Sequence, residues 1–138
     1  MIVTKQISLK TQGNCDIVDI TPQVEQKLAE TEINSGTAIL FIAGSTAGIS
    51  TIEYESGLVA DFQRMWERNV PQGIPYDHDR RWGDGNGHAH VRASLLGASL
   101  VVPFTGRRLS LGTWQQIIVV DFDNRPRSRQ VVMQIMGE

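Results

Sequence analysis

All three histidines of this 138-residue chain, His78, His88 and His90, fall in one short stretch, together with Asp77, Asp79 and Asp84. Imidazole is a common metal ligand and titrates near neutral pH, so such a cluster can hold a cation or move a proton. His88 and His90 are two apart; if the chain is extended there, both rings project from the same side, and His78 can return from the other limb of the loop. A convergent His78, His88 and His90 set is a zinc arrangement that leaves a fourth position for water or substrate. The aspartates can then orient the rings or add an oxygen ligand. The plainer reading has equal weight: the rings cap loop carbonyls or face solvent.

Between the histidines lies Gly83-Asp84-Gly85-Asn86-Gly87, whose successive amides can face an anion, with Arg80, Arg81 and Arg92 to supply charge. The run is neither a P-loop nor a GxGxxG after a strand, and glycines that simply permit a tight turn explain it somewhat better. A second loop, Gly44 to Gly48, sets the hydroxyls of Ser45 and Thr46 between two apolar runs, a common place for site residues. Turn geometry explains that loop equally well, and without a GxSxG elbow a nucleophilic serine is disfavoured. Glu53 stands in a β-branched apolar run, where a buried carboxylate needs a partner; with Glu55 two residues on, a polar edge facing solvent fits as well. Gly112-Thr113-Trp114-Gln115 delivers an indole and an amide able to stack on and hydrogen-bond a planar ligand, or else a core or interface tryptophan.

The elements that must position these residues read as follows. Ile2 to Leu9 alternates, and Cys15 to Ile20 can return beside it across Thr11 to Asn14 as a hairpin. Thr21-Pro22 caps a short helix with Val24 and Leu28 on one face. Thr37 to Ile42 and Ile49 to Tyr54 are strands around a tight loop. Leu58 to Val70 has helical apolar spacing, with Ser56 as its cap and Pro71 beyond its end. Pro71 to His90 has four glycines, two prolines and no period, which predicts a long ordered loop, with a single helical turn near Arg92 to Leu96. Ser99 to Phe104, Gln115 to Phe122 and Arg129 to Met136 then form an antiparallel meander. The sum is a mainly β sandwich with helices packed outside.

Composition sets bounds on function. The length fits one domain spanning residues 1–138. Thirteen basic against fifteen acidic residues leave no excess of positive charge for a phosphate backbone, so nucleic acid is not an expected partner. The single Cys15 can make no internal disulfide, which makes the cytoplasm the default compartment. No apolar run approaches the ~20 residues a bilayer span needs, so no membrane association is expected.

Taken in order, FIAGSTAGISTIEYE (Phe41 to Glu55), YDHDRRWGDGNGHAHVRASLLG (Tyr76 to Gly97) and GRRLSLGTWQQI (Gly106 to Ile117) resemble the YjbQ-like family of small proteins, often labelled secondary thiamine-phosphate synthases. The resemblance covers nearly the whole chain. It implies a mainly β, jelly-roll-type sandwich with two flanking helices, a homotrimer, and a pocket lined by the first two blocks. Glu53, His78 and His90 match the family's glutamate and two of its histidines, and Gly112, Trp114 and Gln115 match its Gly-x-Trp-Gln motif. Many members carry His-Thr-Thr-Ala where this chain has Gly44-Ser45-Thr46-Ala47, and Asn-Glu where it has Ile52-Glu53. His88 is the residue able to compensate for the histidine lost at Gly44.

The family label implies joining a pyrimidine methyl diphosphate to a thiazole phosphate with release of pyrophosphate. That reaction requires neutralisation of the departing charge and protection of a reactive cation. The expectation is a cytoplasmic enzyme acting on a small phosphorylated metabolite, with His78, His90 and Glu53 catalytic. Ser45, Thr46, Arg81, Asp84, Gly85, Asn86, Gly87, Arg92, Trp114 and Gln115 would bind substrate, and His78, His88 and His90 would hold zinc or magnesium. A metal-dependent hydrolase and a non-catalytic trimeric metabolite-binding module are the alternatives.

Overall fold

In the computed structural model, which describes residues 1–138, the chain order is β1 (Ile2–Thr11), β2 (Asp16–Asp19), α1 (Thr21–Ala29), β3 (Gly36–Ile42), β4 (Ala47–Ile52), α2 (Ser56–Asn69), α3 (Asp77–Trp82), α4 (Gly87–Leu96), β5 (Ser99–Thr105), β6 (Arg108–Leu109), β7 (Gln116–Asp121) and β8 (Arg127–Gly137). The strands form two antiparallel sheets, β1-β8-β3-β5-β6 and β2-β7-β4. The inner residues of the large sheet, among them Leu40, Ile42, Val102, Phe104, Met133 and Ile135, meet Ile49, Ile117 and Val119 of the small one, and Val24 and Leu28 of α1 join the same core. This is the mainly β sandwich expected. Four helices accompany it instead of two, and none is long and apolar enough to cross a membrane.

Strand β7 explains the second core. It lies between β2 and β4, so alternate residues are buried on both faces: Ile117 and Val119 toward the large sheet, Ile118 and Val120 toward Trp66 of α2 and Ala89 and Ala93 of α4. Helix α2 forms where the apolar spacing predicts it. Its cap is the Glu55 carboxylate, which accepts from the backbone N–H of Gly57 and Leu58, and not Ser56.

Two expected pairings are overturned. Strand β1 does not hairpin with β2; it pairs with β8 along its whole length, from Ile2 opposite Met136 to Thr11 opposite Arg127, while β2 pairs with β7. Gly13, Asn14 and Cys15 all take left-handed backbone angles, which turn the chain from one sheet to the other. The C-terminal meander is also absent, because β5, β7 and β8 are nowhere neighbours. Alternation specifies a strand and its buried face, but not which strand lies beside it.

Strands β3 and β8 approach closely at Gly36. A side chain at Gly36 would place its Cβ 1.9 Å from the Met136 carbonyl oxygen, whereas one at Gly73 would meet nothing within 4 Å. Gly36→Ala is therefore expected to lower unfolding stability in urea by about 3 kcal/mol. Gly73→Ala should change it by no more than roughly 0.5 kcal/mol.

Candidate functional site

The stretch from Pro71 to His90 is not a continuous loop. Two helices, α3 and α4, occupy much of it, and the turn foreseen at Arg92 to Leu96 begins five residues earlier, at Gly87. This changes where the histidines point. Residues two apart on a helix are about 200° apart around its axis, so His88 and His90 face opposite ways. His88 turns into the second core, 1% exposed, near the Tyr76 ring. Burial, with the Arg92 guanidinium nearby, holds its pKa below the ordinary imidazole value. His90 stays partly exposed, and its ring lies 4.4 Å between centroids from that of His78 of α3, tilted by 46°. The expected convergence of three imidazoles is thus corrected to a pair, with His88 directed away.

Helix α4 is held in place by contacts that use groups read from the sequence as ligand-binding. The Gly87 N–H donates to Asp79 Oδ1 at 2.8 Å, and a Cβ at Gly87 would lie 2.6 Å from that of Tyr76. The glycine therefore lets α4 start against Tyr76, with its amide already satisfied within the protein. Arg92 is buried and donates from Nε to the Val70 carbonyl and from Nη2 to Glu67, which ties α4 to the end of α2. Arg80 pairs with Asp77, and Arg81 lies over the exposed Trp82 ring. None of these three arginines lines the histidine pocket.

That pocket is an open cavity of about 410 Å³ between the α3–α4 segment and the turn of Gly44, Ser45 and Thr46. His78, Asp84 and His90 stand on one side. His78 Nδ1 is shielded from solvent and has no hydrogen-bond partner, yet it lies 3.4 Å from Asp84 Oδ1 and 3.7 Å from Asp79 Oδ1. Ligand atoms at about 2.0–2.1 Å from a tetrahedral zinc are themselves about 3.3 Å apart. His78, Asp79 and Asp84 each offer one ligand atom, all within 4.8 Å of one another, a set that could hold a divalent cation. Gly85, with a left-handed backbone, turns the chain between Asp84, whose carbonyl accepts from Asn124 Nδ2, and Asn86.

The opposite wall joins the expected Ser45 and Thr46 to charged residues that the sequence reading does not single out. Asp121 at the end of β7 accepts from Arg129 Nε at 2.7 Å and Nη2 at 2.9 Å, from the Thr11 hydroxyl and from the Asp123 N–H. Asp123 accepts from Arg127 Nε, the Thr46 hydroxyl, Asn86 Nδ2 and the Asn124 N–H, and pairs ionically with Arg127 Nη2. Both aspartates are buried, and every lone-pair direction has a donor, the condition under which buried charge is tolerated. Asp121, Asp123, Arg127 and Arg129 were passed over because charged residues flanking an Asp-Asn-Arg-Pro turn ordinarily face water. The available signal was alternation: Arg127 and Arg129 recur on the face that continues as Val131, Met133 and Ile135.

Glu53 does not join this group. It follows the far end of β4, about 20 Å of strand from Thr46, and stands exposed beside Asp19, Tyr54 and Trp114. Trp114 is 71% exposed there, and the Gln115 side chain is engaged locally, donating to the Thr51 hydroxyl and accepting from the Gly112 N–H. Within one chain, His78 and His90 are at one end of the small sheet, and Glu53, Trp114 and Gln115 are at the other.

Comparison with known proteins agrees with this architecture. A family model described as "UPF0047 protein YjbQ-like" matches residues 5–138. A UPF0047 protein of Archaeoglobus fulgidus is 39% identical over 131 residues, covering 95% of this chain and 99% of its own, and the UPF0047 protein YugU of Bacillus subtilis is 37% identical, covering 96% and 98%. The crystal structure of a YbjQ-like protein of unknown function from Sulfolobus solfataricus superposes with a TM-score of 0.94 at 34% identity, covering 100% of this chain and 99% of that one.

Burial pushes the Asp123 carboxyl up, but hydrogen bonds from the Asn124 N–H, Asn86, Arg127 and Thr46 outweigh it and hold its pKa at about 2, against an ordinary 3.8. A carboxylate depressed in the folded state contributes stability that is complete above the unfolded value and is lost as pH falls through the folded one. Unfolding stability should therefore drop by about 2 kcal/mol between pH 4 and pH 2 on account of this group. Urea titrations across that range should show a shallower acid limb for Asp123→Asn.

Proposed function

Because the chain belongs to the YjbQ-like UPF0047 family, and its two pocket imidazoles meet beside a carboxylate pair, we propose that it is an enzyme acting on a small phosphorylated metabolite at a divalent-metal site. The observation that carries this reading is His78 Nδ1, a shielded nitrogen without a hydrogen-bond partner, facing two carboxylate oxygens at ligand-to-ligand spacing. His78, Asp79 and Asp84 would hold zinc or magnesium, and Asp79 is already oriented for it by the Gly87 N–H. Once bound, such a cation neutralises charge on a departing diphosphate or polarises a phosphoryl oxygen.

The chain's own residues supply the rest. His90, at the pocket wall with its ring 4.4 Å from that of His78, is the proton donor or acceptor. Thr46, Arg127 and Arg129 form the facing wall, and Asn86 fixes the start of α4 against Asp123. Asp84 and Asp123 balance Arg127 and Arg129 along the lining. The proposed reaction is transfer of the thiamine-phosphate synthase type; metal-assisted hydrolysis is the second reading, since the same cation set in an open cavity can activate a water.

The protein is further proposed to work in the cytoplasm as a homotrimer. Support for self-association comes from Ile2, Phe41 and Val101, which are exposed on the outer face of the large sheet.

Metal content of protein purified without a chelating tag, followed by zinc and magnesium titration, tests the site. Wild type should bind near one equivalent, and His78→Ala and Asp84→Ala should each weaken binding at least tenfold. Equal thiamine-phosphate formation by wild type and His90→Ala would remove His90 from the reaction, and release of phosphate or pyrophosphate from one substrate alone would favour the hydrolase.

A further inference from the structure

We propose that Arg129 and Gly44 form a phosphate-seating subsite in the histidine pocket, so that the ligand is anchored by one phosphate group while its uncharged body lies in the adjoining cavity. This rests on the reading above for the choice of phosphate, though not for the metal.

Three donors of the Arg129 side chain can be followed individually. Nε and Nη2 hold Asp121 in a fork, and Nη2 also donates to Thr46 Oγ1 at 2.7 Å. Nη1 has no partner in the protein, although the side chain is only 9% exposed. Its outlook is toward position 44: a Cβ built there would lie 2.7 Å from Nη1. Gly44 has a backbone φ of +127°, a conformation natural to glycine, and lines the open cavity together with Ser45. The missing side chain thus uncovers an oriented guanidinium N–H that any other residue would cover.

The arrangement suits an oxyanion. The fork to Asp121 fixes the guanidinium plane, so its free edge is pre-oriented and loses little freedom on binding. Partial burial also strengthens a charge-assisted hydrogen bond relative to one in water. Gly44, Ser45 and His90 line a second cavity of about 410 Å³ whose other walls include Ala47, Ala93, Gly97 and Ala98 and carry no charged side chain. A ligand with phosphate at Arg129 would therefore extend an uncharged body past His90 into that space.

The test uses arginine side-chain nitrogen–proton NMR of the intact labelled protein in the presence of a chelator, titrated with inorganic phosphate and, in parallel, acetate. The Arg129 Nε signal should move saturably with phosphate and less with acetate. In folded Gly44→Ala the phosphate dissociation constant should rise at least tenfold. A stationary Arg129 signal while those of the exposed Arg80 and Arg81 shift would overturn the proposal, as would unchanged phosphate affinity in folded Gly44→Ala. If that variant does not fold, the wild-type spectrum alone decides. Phosphate binding at Arg129 in protein that takes up no metal would leave this subsite standing and remove the metal site; metal uptake with a stationary Arg129 would do the reverse.

Discussion

Two carboxylates, Asp121 and Asp123, are buried at the seam between the sheets, and much of the pocket's geometry follows from the donors they require. Taking an ion out of water costs several kcal/mol, recovered only when its hydrogen bonds are complete. Here the donors come from distant parts of the chain: Thr11 at the end of β1, Thr46 in the β3–β4 turn, Asn86 before α4, and Arg127 and Arg129 at the start of β8. Removing one partner would leave an uncompensated charge, a loss of about 3–5 kcal/mol. The network therefore fixes strand β8, the glycine turn and helix α4 relative to one another.

The same constraint explains why the imidazoles meet where they do. Asn86 anchors the start of α4 to Asp123, Asp79 receives the Gly87 N–H, and Arg92 ties the helix to Val70 and Glu67. With both its beginning and its middle fixed, the helix has one rotation about its axis. That rotation sends His88 inward and His90 toward His78. The pocket is thus built on rigid elements and not on a mobile loop.

Much of this was legible in the residues and some was not. The alternation of β1, the apolar stripe of α2 and the sandwich class could be read directly, as could the cluster holding His78, Asp84, Asn86 and His90. Helix α4 was hidden because its buried face includes Gly87, His88 and Arg92, which carry no apolar period. Strand partners were hidden because alternation carries no address, as β1 shows by pairing with β8 instead of β2. Arg129 and Asp121 were hidden because a charged residue announces burial only through the partner that neutralises it, and those partners are adjacent only after folding. Glu53 was grouped with the histidines on family position, yet six residues of extended β4 hold it away from them.

The pairing of β1 with β8 also sets an order of events during synthesis. Strand β1 leaves the ribosome with an unpaired edge, and its hydrogen-bonding partner β8 follows only after the six strands and four helices between them. Asp121 and Asp123 emerge before Arg127 and Arg129, so each nascent chain carries both carboxylates before their cations are made. The pocket wall consequently cannot assemble stepwise from the N-terminus. It forms in one late, long-range closure, during which the open β1 edge is the segment that a chaperone or a neighbouring chain would meet first.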